Sequence, residues 1–91
     1  MKIHIPTPLR VYTGKQDTVL VDAKTVGEAL SQLTVQHPEL KKHLYTEEGR
    51  LRSFVNVYLN DEDVRYLPEK DTTAVTGADA LTIIPSIAGG K

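Results

Sequence analysis

The 91-residue chain contains no cysteine and no tryptophan, and it has one methionine and one phenylalanine. Without cysteine, disulfides, thiolate zinc sites, iron–sulfur clusters and a cysteine nucleophile are all excluded. No apolar run approaches the roughly 18 to 20 residues of a membrane span, and the first residues lack the apolar stretch of a signal peptide. The sequence therefore predicts a small cytoplasmic protein whose function does not use thiol side chains and does not involve a membrane.

An excess of positive charge is also missing, since 11 Lys and Arg stand against 12 Asp and Glu. Nucleic acid is therefore not an expected partner, because phosphate binding depends on such an excess. A chain of this length buries only about 60 to 65% of its unfolded surface, which leaves no room for a large internal pocket. We expect one thin-cored domain whose chemistry lies at its surface.

Side chains suited to catalysis or metal binding are scarce. His4, His37 and His43 have neither helical spacing nor a cluster of partners, so no metal site is expected. The three carboxylates at 61–63 lack the surrounding loop of a calcium site and are interpreted as a solvated turn. No nucleophile elbow and no glycine-rich phosphate loop are present. We expect a protein that is not an enzyme and holds no cofactor.

The first part of the chain predicts a β-hairpin. Alternating polar and apolar residues at 2–5 indicate a first strand, continuing irregularly to Val11. Gly14 supplies a turn, and the β-branched and apolar residues at 18–22 indicate a second strand.

A helix is predicted after this hairpin. Thr25 and Glu28 have the spacing of a capping box, which marks the start of a helix. The helix is expected to end at His37, because Pro38 disfavours helical geometry in the residue before it, and a further short helical turn follows. Gly27 weakens the helix by about 1 kcal/mol relative to alanine, so we expect close packing against the sheet there.

The second half of the chain predicts three more strands. Residues 54–59 alternate, with Val55, Val57 and Leu59 on one face. A turn at 60–63 and a short edge strand at 64–66 follow, and the last strand at 81–84 stops at Pro85. This order of elements predicts an α+β fold of the β-grasp type, a mixed sheet of four to five strands packed on one main helix. We assign 1–85 to this domain and 86–91 to a flexible C-terminal tail.

The tail is the most informative segment for function. Gly89 and Gly90 have no side chains to obstruct a narrow channel, and five residues from Ser86 can extend about 16 Å at roughly 3.3 Å per residue. The tail, with Ala88 before the two glycines, is suited to entering the active site of another protein while the domain docks outside. A terminus that simply frays is the alternative.

Three segments carry a resemblance to a known family: the early residues from Ile5 to Gly14, the stretch at 54–65, and the run at 81–90 that ends in Gly-Gly. The chain resembles the ubiquitin-like sulfur carriers of the ThiS and MoaD type, most closely those of cysteine biosynthesis. The resemblance implies that an ATP-dependent E1-like enzyme adenylates the carboxylate of Gly90 and that sulfide then forms a thiocarboxylate. A PLP-dependent cysteine synthase would receive the sulfur. The small subunit of molybdopterin synthase, a thiamine-pathway carrier and a ubiquitin-like protein modifier remain alternatives.

Lys91 departs from the family pattern, because carriers ready for activation end in Gly-Gly. Here the carboxylate of Gly90 lies in a peptide bond. The resemblance implies that a zinc peptidase of the JAMM type removes Lys91 first. That Lys91 is foreign to the natural protein is the alternative.

A docking surface is predicted from the alternation of the strands. If Val55 and its partners face the helix, then Phe54, Tyr58 and Ile84 lie on the open face of the sheet, where they form a candidate partner site beside the tail. Ordinary isolated surface residues are the alternative. Arg10, Arg52 and Arg65 are candidates to pair with acidic groups of a partner, although each is also explained as a solvated charge. These candidate residues are Arg10, Arg52, Phe54, Tyr58, Arg65 and Ile84.

Overall fold

The computed structural model describes residues 1–53 and 55–85, which form one mixed five-stranded sheet in the order β2-β1-β5-β3-β4. The strands are β1 (Lys2–His4), β2 (Thr18–Leu20), β3 (Val55–Leu59), β4 (Glu62–Asp63) and β5 (Ala80–Pro85). The helices are α1 (Val26–Gln36) and α2 (Lys41–Leu44), with 3-10 helices at Thr7–Thr13, Pro38–Leu40, Val64–Tyr66 and Lys70–Thr72. The predicted α+β architecture is confirmed, with α1 as its main helix.

β5 is the central strand of the sheet. It runs parallel to β1, with Ile3 opposite Leu81, and antiparallel to β3, with Val57 opposite Ile83. The hairpin of β1 and β2 is antiparallel, as the sequence predicts. The last strand is therefore held on both sides, by the first strand and by the strand that follows the helices.

The start of α1 is capped as the sequence predicts. The Thr25 hydroxyl accepts a hydrogen bond from the backbone N–H of Glu28 at 3.1 Å, and the Glu28 carboxylate accepts one from the backbone N–H of Lys24 at 3.0 Å. The first bond satisfies an N–H group that the helix start leaves unpaired, while Glu28 reaches back to the residue before the N-cap and not to the N–H of Thr25 itself. The helix ends at Gln36 with His37 as its C-cap, in agreement with the prediction from Pro38.

The core lies between α1 and one face of the sheet. The helix contributes Val26, Ala29, Leu30 and Leu33, all buried. The sheet contributes Ile3, Val19, Val55, Val57, Leu81 and Ile83. The predicted orientation of β3 and β5 is therefore confirmed, although Leu59 is only half-buried at the margin of the core.

The predicted extension of the first strand to Val11 is wrong, because Thr7–Thr13 forms a 3-10 helix. Proline is tolerated at the first positions of a helical turn, where its missing N–H has no partner to lose. The buried hydroxyl of Thr13 lies 2.9 Å from the carbonyl oxygen of Gln16, and Gly14 follows with φ +64°.

The predicted strand at 64–66 is also wrong. Strand β4 comprises Glu62 and Asp63, and Val64–Tyr66 is a 3-10 helix. The Asp63 carboxylate accepts a hydrogen bond from the backbone N–H of Arg65 at 2.9 Å, which turns the chain away from the sheet. The predicted turn at 60–63 is correspondingly shorter, with Asn60 and Asp61 joining β3 to β4.

The reason inferred for Gly27 is only partly right. A Cβ at this position would lie 3.2 Å from the backbone oxygen of Asp71, so the close neighbour is the 3-10 helix Lys70–Thr72 and not the sheet. The short helical turn predicted after Pro38 is confirmed as Pro38–Leu40 followed by α2. Among the described residues no helix is long and apolar enough to cross a bilayer.

Candidate functional site

The central strand determines where the C-terminal segment leaves the sheet. β5 ends at Pro85, which pairs with Val55 of β3, while Thr82 pairs with His4 of β1. The strand therefore has neighbours on both sides at 81–82, and its last residues, up to Pro85, pair with β3 alone. The predicted tail residues Ala88 and Gly89, the predicted sulfur-carrying residue Gly90, and Lys91, which is predicted to be removed, lie outside the described residues.

The predicted docking surface lies on the face of the sheet opposite α1. Tyr58 is opposite Thr82, and Ile84 is opposite Asn56, so the side chains of these neighbouring strands share that face. Ile84 is 45% exposed and Tyr58 is half-buried. The structure thus brings Tyr58 and Ile84 together, and Phe54 lies outside the described residues. We call Asn56, Tyr58, Thr82 and Ile84 the open face.

A polar network borders the open face on the side of β4. Arg65 donates hydrogen bonds to the side-chain oxygen of Asn56 and to the carboxylate of Asp63, with which it forms an ion pair at 3.3 Å. Asp63 opposes Tyr58 across the β3–β4 pairing. Arg65 is therefore held in place beside the open face, although the sequence alone also allowed a freely solvated charge.

The carboxylate of Asp63 differs from the solvated group expected at 61–63, because its side chain is only 10% exposed. This burial acts to raise its pKa, but the hydrogen bonds from the Arg65 backbone and guanidinium and the positive charge of Arg65 together outweigh it. The pKa of Asp63 is consequently lower than its ordinary value. The ionised form is thus favoured by its contacts with Arg65.

Two depressions meet at Pro85. The first, the α2-side depression, has a volume of about 430 Å³ and is lined by Leu9, Lys42, His43, Arg52, Val55 and Pro85. The second, the His4-side depression, has about 290 Å³ and includes His4, Pro6, Arg10, Ile84 and Pro85. The departure point of the C-terminal segment is therefore flanked by a shallow basic surface on each side.

Arg10 and Arg52, one in each depression, are both held by a hydrogen bond from Nε. Nε of Arg10 donates to the backbone oxygen of Ile5 at 3.0 Å, and Nε of Arg52 donates to the backbone oxygen of Lys42 at 3.0 Å. Both residues are half-buried. Each guanidinium is thereby oriented, and the hydrogen bonds found for it among the described residues use Nε and not the two terminal nitrogens.

The histidines show no arrangement suited to metal binding. His43 stacks on Tyr12 with ring centroids 4.2 Å apart, His37 caps α1, and His4 lies beside Thr18. Within residues 1–53 and 55–85 there is no group of three or more His, Asp or Glu side chains that could hold a metal ion.

The sheet order, with a parallel pairing of the first and last strands and a helix across one face, defines a β-grasp fold, the class of ubiquitin-like proteins. Residues 3–90 match the model of the ThiS family, and the chain belongs to that family.

Individual relatives agree with this assignment. The sulfur carrier protein CysO of Mycobacterium tuberculosis is 39% identical over 90 residues, which cover 97% of this chain and 96% of that protein. Small archaeal modifier protein 1 of Haloferax volcanii is 36% identical over 76 residues, covering 80% and 82% of the two chains.

Solved structures give the same fold. A chain in the crystal structure of the BexX/CysO complex of Amycolatopsis orientalis superposes with a TM-score of 0.85 and 40% identity, covering 98% of both chains. The crystal structure of SAMP1 from Haloferax volcanii gives a TM-score of 0.82 at 29% identity, covering 98% of this chain and 97% of that one. The predicted resemblance and the predicted β-grasp fold are confirmed.

The network of Asn56, Asp63 and Arg65 was not foreseen from the sequence. The sequence contains only a weak signal for this network. Asn56 and Tyr58 are two residues apart on one strand and so lie on the same face of the sheet. Asp63 precedes Arg65 by two residues, the spacing at which a carboxylate can accept a hydrogen bond from a backbone N–H. The Nε contacts of Arg10 and Arg52 have no sequence signal, because each acceptor is a backbone carbonyl.

Proposed function

We propose that this chain is a cytoplasmic sulfur carrier that holds sulfur as a C-terminal thiocarboxylate on Gly90 and donates it for cysteine biosynthesis. The observation that carries the proposal is the extent of the family match, which runs through Gly90 and stops before Lys91. The identity to the sulfur carrier protein CysO over nearly the whole chain supports sulfur as the cargo, and the resemblance to the carriers of cysteine biosynthesis suggests cysteine as the product. The chain acts as a protein substrate and carrier in this scheme, and the catalytic groups belong to its partners.

The proposed chemistry follows from the properties of a carboxylate. A C-terminal carboxyl group has a pKa of about 3.5, so it is ionised at neutral pH and resists nucleophilic attack. An E1-like enzyme transfers AMP from ATP to an oxygen of the Gly90 carboxylate and releases pyrophosphate. Sulfide then attacks the carbonyl carbon, AMP leaves, and the thiocarboxylate remains. A PLP-dependent cysteine synthase takes the sulfur from it.

Lys91 has to be removed before this reaction. While Gly90 is joined to Lys91, its carbonyl belongs to an amide and offers no carboxylate oxygen to the α-phosphorus of ATP. A JAMM-type zinc peptidase is the partner proposed for this cleavage. The products are free lysine and a chain that ends in Gly90.

The structure supports a division of labour between the domain and the tail. Tyr58 and Ile84 offer an apolar contact on the open face, and Pro85, the residue after Ile84, is the last residue of β5. A stretch from Ser86 to Gly90 spans about 16 Å when extended, at roughly 3.3 Å per residue. This length allows the domain to dock on a partner surface while Gly90 reaches an active site inside it.

The decisive experiment compares the chain ending in Gly90 with the chain ending in Lys91. Each is incubated with the adenylating enzyme, ATP and sulfide, and its intact mass is measured. We expect the Gly90-ended protein to gain the mass of one oxygen-to-sulfur exchange and the Lys91-ended protein to remain unchanged until the peptidase is added. Equal conversion of the two proteins without peptidase would contradict the proposed role of Lys91.

A protein modifier is the second candidate, and the similarity to small archaeal modifier protein 1 favours it. A modifier would use the same adenylate of Gly90 but transfer the glycine to a lysine of a target protein. Adducts of higher mass in cell extract would support this function. A thiocarboxylate without adducts would support the carrier, and full activity after deletion of Gly89 and Gly90 would contradict both.

A further inference from the structure

We propose that Arg10 and Arg52 are two preformed cationic contacts on either side of the tail root at Pro85, and that they bind carboxylates of the adenylating enzyme at the entrance of the channel that receives the tail. This inference rests on the proposed function, since it requires the tail to enter a partner. It adds a specific interaction surface and the chemistry of the complementary one.

The first support is the way both side chains are held. Each uses Nε to donate to a backbone oxygen at 3.0 Å, and each is half-buried. A guanidinium oriented in this way loses less conformational freedom when a carboxylate binds its remaining N–H groups. A lysine or a freely mobile arginine would not offer the same fixed pair of donors.

The second support is that neither charge is neutralised by the part of the chain that the structure describes. There, the ion pair found is that of Arg65 with Asp63, and neither Arg10 nor Arg52 has an acidic side chain within salt-bridge distance. Arg65 thus has a partner within the protein, whereas Arg10 and Arg52 have charges available for another molecule.

The third support is the charge of the surroundings. The linings of the α2-side and His4-side depressions contain Arg10, Lys42 and Arg52 and no acidic residue. Lys42 and Arg52 also line the larger depression between α2 and the following loop, about 590 Å³, together with Glu39 and Glu47, and Pro85 is not part of that lining. In a chain with a formal net charge of −1, the surface next to Pro85 is therefore locally basic.

An activating enzyme offers two kinds of anion, the nucleotide phosphates and its own carboxylates, and the length of the tail between Pro85 and Gly90 distinguishes between them. The nucleotide phosphate must meet Gly90, which lies about 16 Å beyond the root when the tail is extended at roughly 3.3 Å per residue. With the tail extended, an arginine at the root lies too far from a phosphate at Gly90 to bind it. Carboxylates at the channel entrance would lie beside the root, so they are the ligands that fit Arg10 and Arg52.

The test uses the Gly90-ended carrier and its adenylating enzyme in ATP–pyrophosphate exchange. The double variant Arg10→Gln/Arg52→Gln removes both cations. The proposed hydrogen bonds to carboxylates are the same in the ground state and in the transition state, so their loss weakens binding alone. We therefore expect the KM for the carrier to rise about 10- to 100-fold, while kcat stays within about twofold. The KM of the unmodified carrier should also rise with salt, and this dependence should flatten in the double variant.

Arg50→Gln is the matched control, since it removes one exposed arginine from the neighbouring turn, outside both depressions. Its KM should stay within about twofold of the unmodified carrier, because a solvated charge away from the contact contributes little. Far-ultraviolet circular dichroism and thermal unfolding establish that each variant is folded. If the glutamine variant does not fold, Arg10→Lys/Arg52→Lys keeps the charge but removes the oriented donors, and its KM should rise by a smaller factor.

An unchanged KM in the folded double variant would overturn the inference. A lower kcat with an unchanged KM would also overturn it, because that result indicates a contact to the nucleotide in the transition state. A failure of the unmodified Gly90-ended carrier to be adenylated would instead contradict the proposed function itself, and the two failures are thus distinguishable.

Discussion

Ile84 shows how the position of one residue on the central strand determines whether its side chain is buried or exposed. Its neighbour Ile83 is 1% exposed and packs under α1, whereas Ile84 is 45% exposed on the open face. Side chains alternate along a strand, so adjacent isoleucines have opposite environments. The two positions are therefore expected to respond differently to the same substitution.

We predict that Ile84→Asp leaves the domain folded and lowers the rate of adenylation at least about tenfold. A charge on the open face does not enter the core, but it places a hydrated carboxylate within the proposed apolar contact, and this carboxylate has to lose water when a partner docks. Thermal unfolding measures the first effect, and ATP–pyrophosphate exchange measures the second.

Val35→Asp provides the comparison for this variant. Val35 is 69% exposed but belongs to α1, on the other side of the sheet. Adenylation by Val35→Asp should equal that of the unmodified protein. An unmodified rate for Ile84→Asp would exclude Ile84 from the docking surface.

Among the elements, α1 depends most visibly on a local signal. Thr25→Ala removes the hydroxyl that accepts from the Glu28 N–H, and we expect a loss of about 1 kcal/mol in the free energy of unfolding. Urea denaturation at neutral pH measures this loss as a lower midpoint with an unchanged slope.

Thr34→Ala is the matched control, because the same substitution is made inside α1, where the hydroxyl bonds only the Ser31 carbonyl of its own helix. Alanine has the higher helix propensity, so this variant should be as stable as the unmodified protein or slightly more stable. Equal losses in the two variants would show that the cap contributes nothing specific.

The elements that the sequence predicts correctly are those whose signals are local. The Thr25 cap, the effect of Pro38 on His37 and the alternation in β3 each involve neighbouring residues. The 3-10 helix at Thr7–Thr13 depends instead on tertiary contacts, since its Leu9 is buried in the core and the helix lies against the 3-10 helix Pro38–Leu40, which follows α1 in the chain. A pattern of apolar and polar residues contains no information about such contacts.

The candidate site divides in the same way. Alternation places Ile84 and Tyr58 on the open face, and the structure agrees. The fixing of Arg10 and Arg52 could not be predicted, because their acceptors are carbonyls brought near by the 3-10 helix and by α2. The roles of Gly89 and Gly90 come from the family resemblance and stay predictions.

For the whole molecule, the carboxylates of Asp63 and Asp79 predict a loss of stability in acid. The backbone N–H of Thr76 and the side chain of Asn60 lower the pKa of Asp79, and the contacts with Arg65 lower that of Asp63. Below the ordinary value of 3.8 the unfolded chain binds protons more readily than the folded protein, so folding loses stability as pH falls. The contribution is fully present above about pH 5 and declines toward the lowered pKa values of the folded state.

The urea midpoint measured from pH 7 to pH 3 checks this expectation. The double variant Asp63→Asn/Asp79→Asn should be less stable at pH 7 and should decline less steeply below pH 4, because its amides do not titrate. Asp22→Asn changes an exposed carboxylate with no side-chain hydrogen bond among the described residues and should keep the decline of the unmodified protein. If the urea midpoints of all three proteins fell in parallel with pH, the assignment of the acid sensitivity to Asp63 and Asp79 would be contradicted.

The pairing of β5 on both sides also has a mechanical consequence. A partner that grips Gly90 and pulls transmits the force along β5, whose bonds to β3 and, through Thr82, to β1 lie across the direction of pull. A pull along β5 therefore loads these hydrogen bonds in shear, all at the same time. An edge strand that is pulled sideways would instead lose its hydrogen bonds one after another. Under the proposed function, β5 therefore stays paired with its neighbours while a partner takes up and releases the tail.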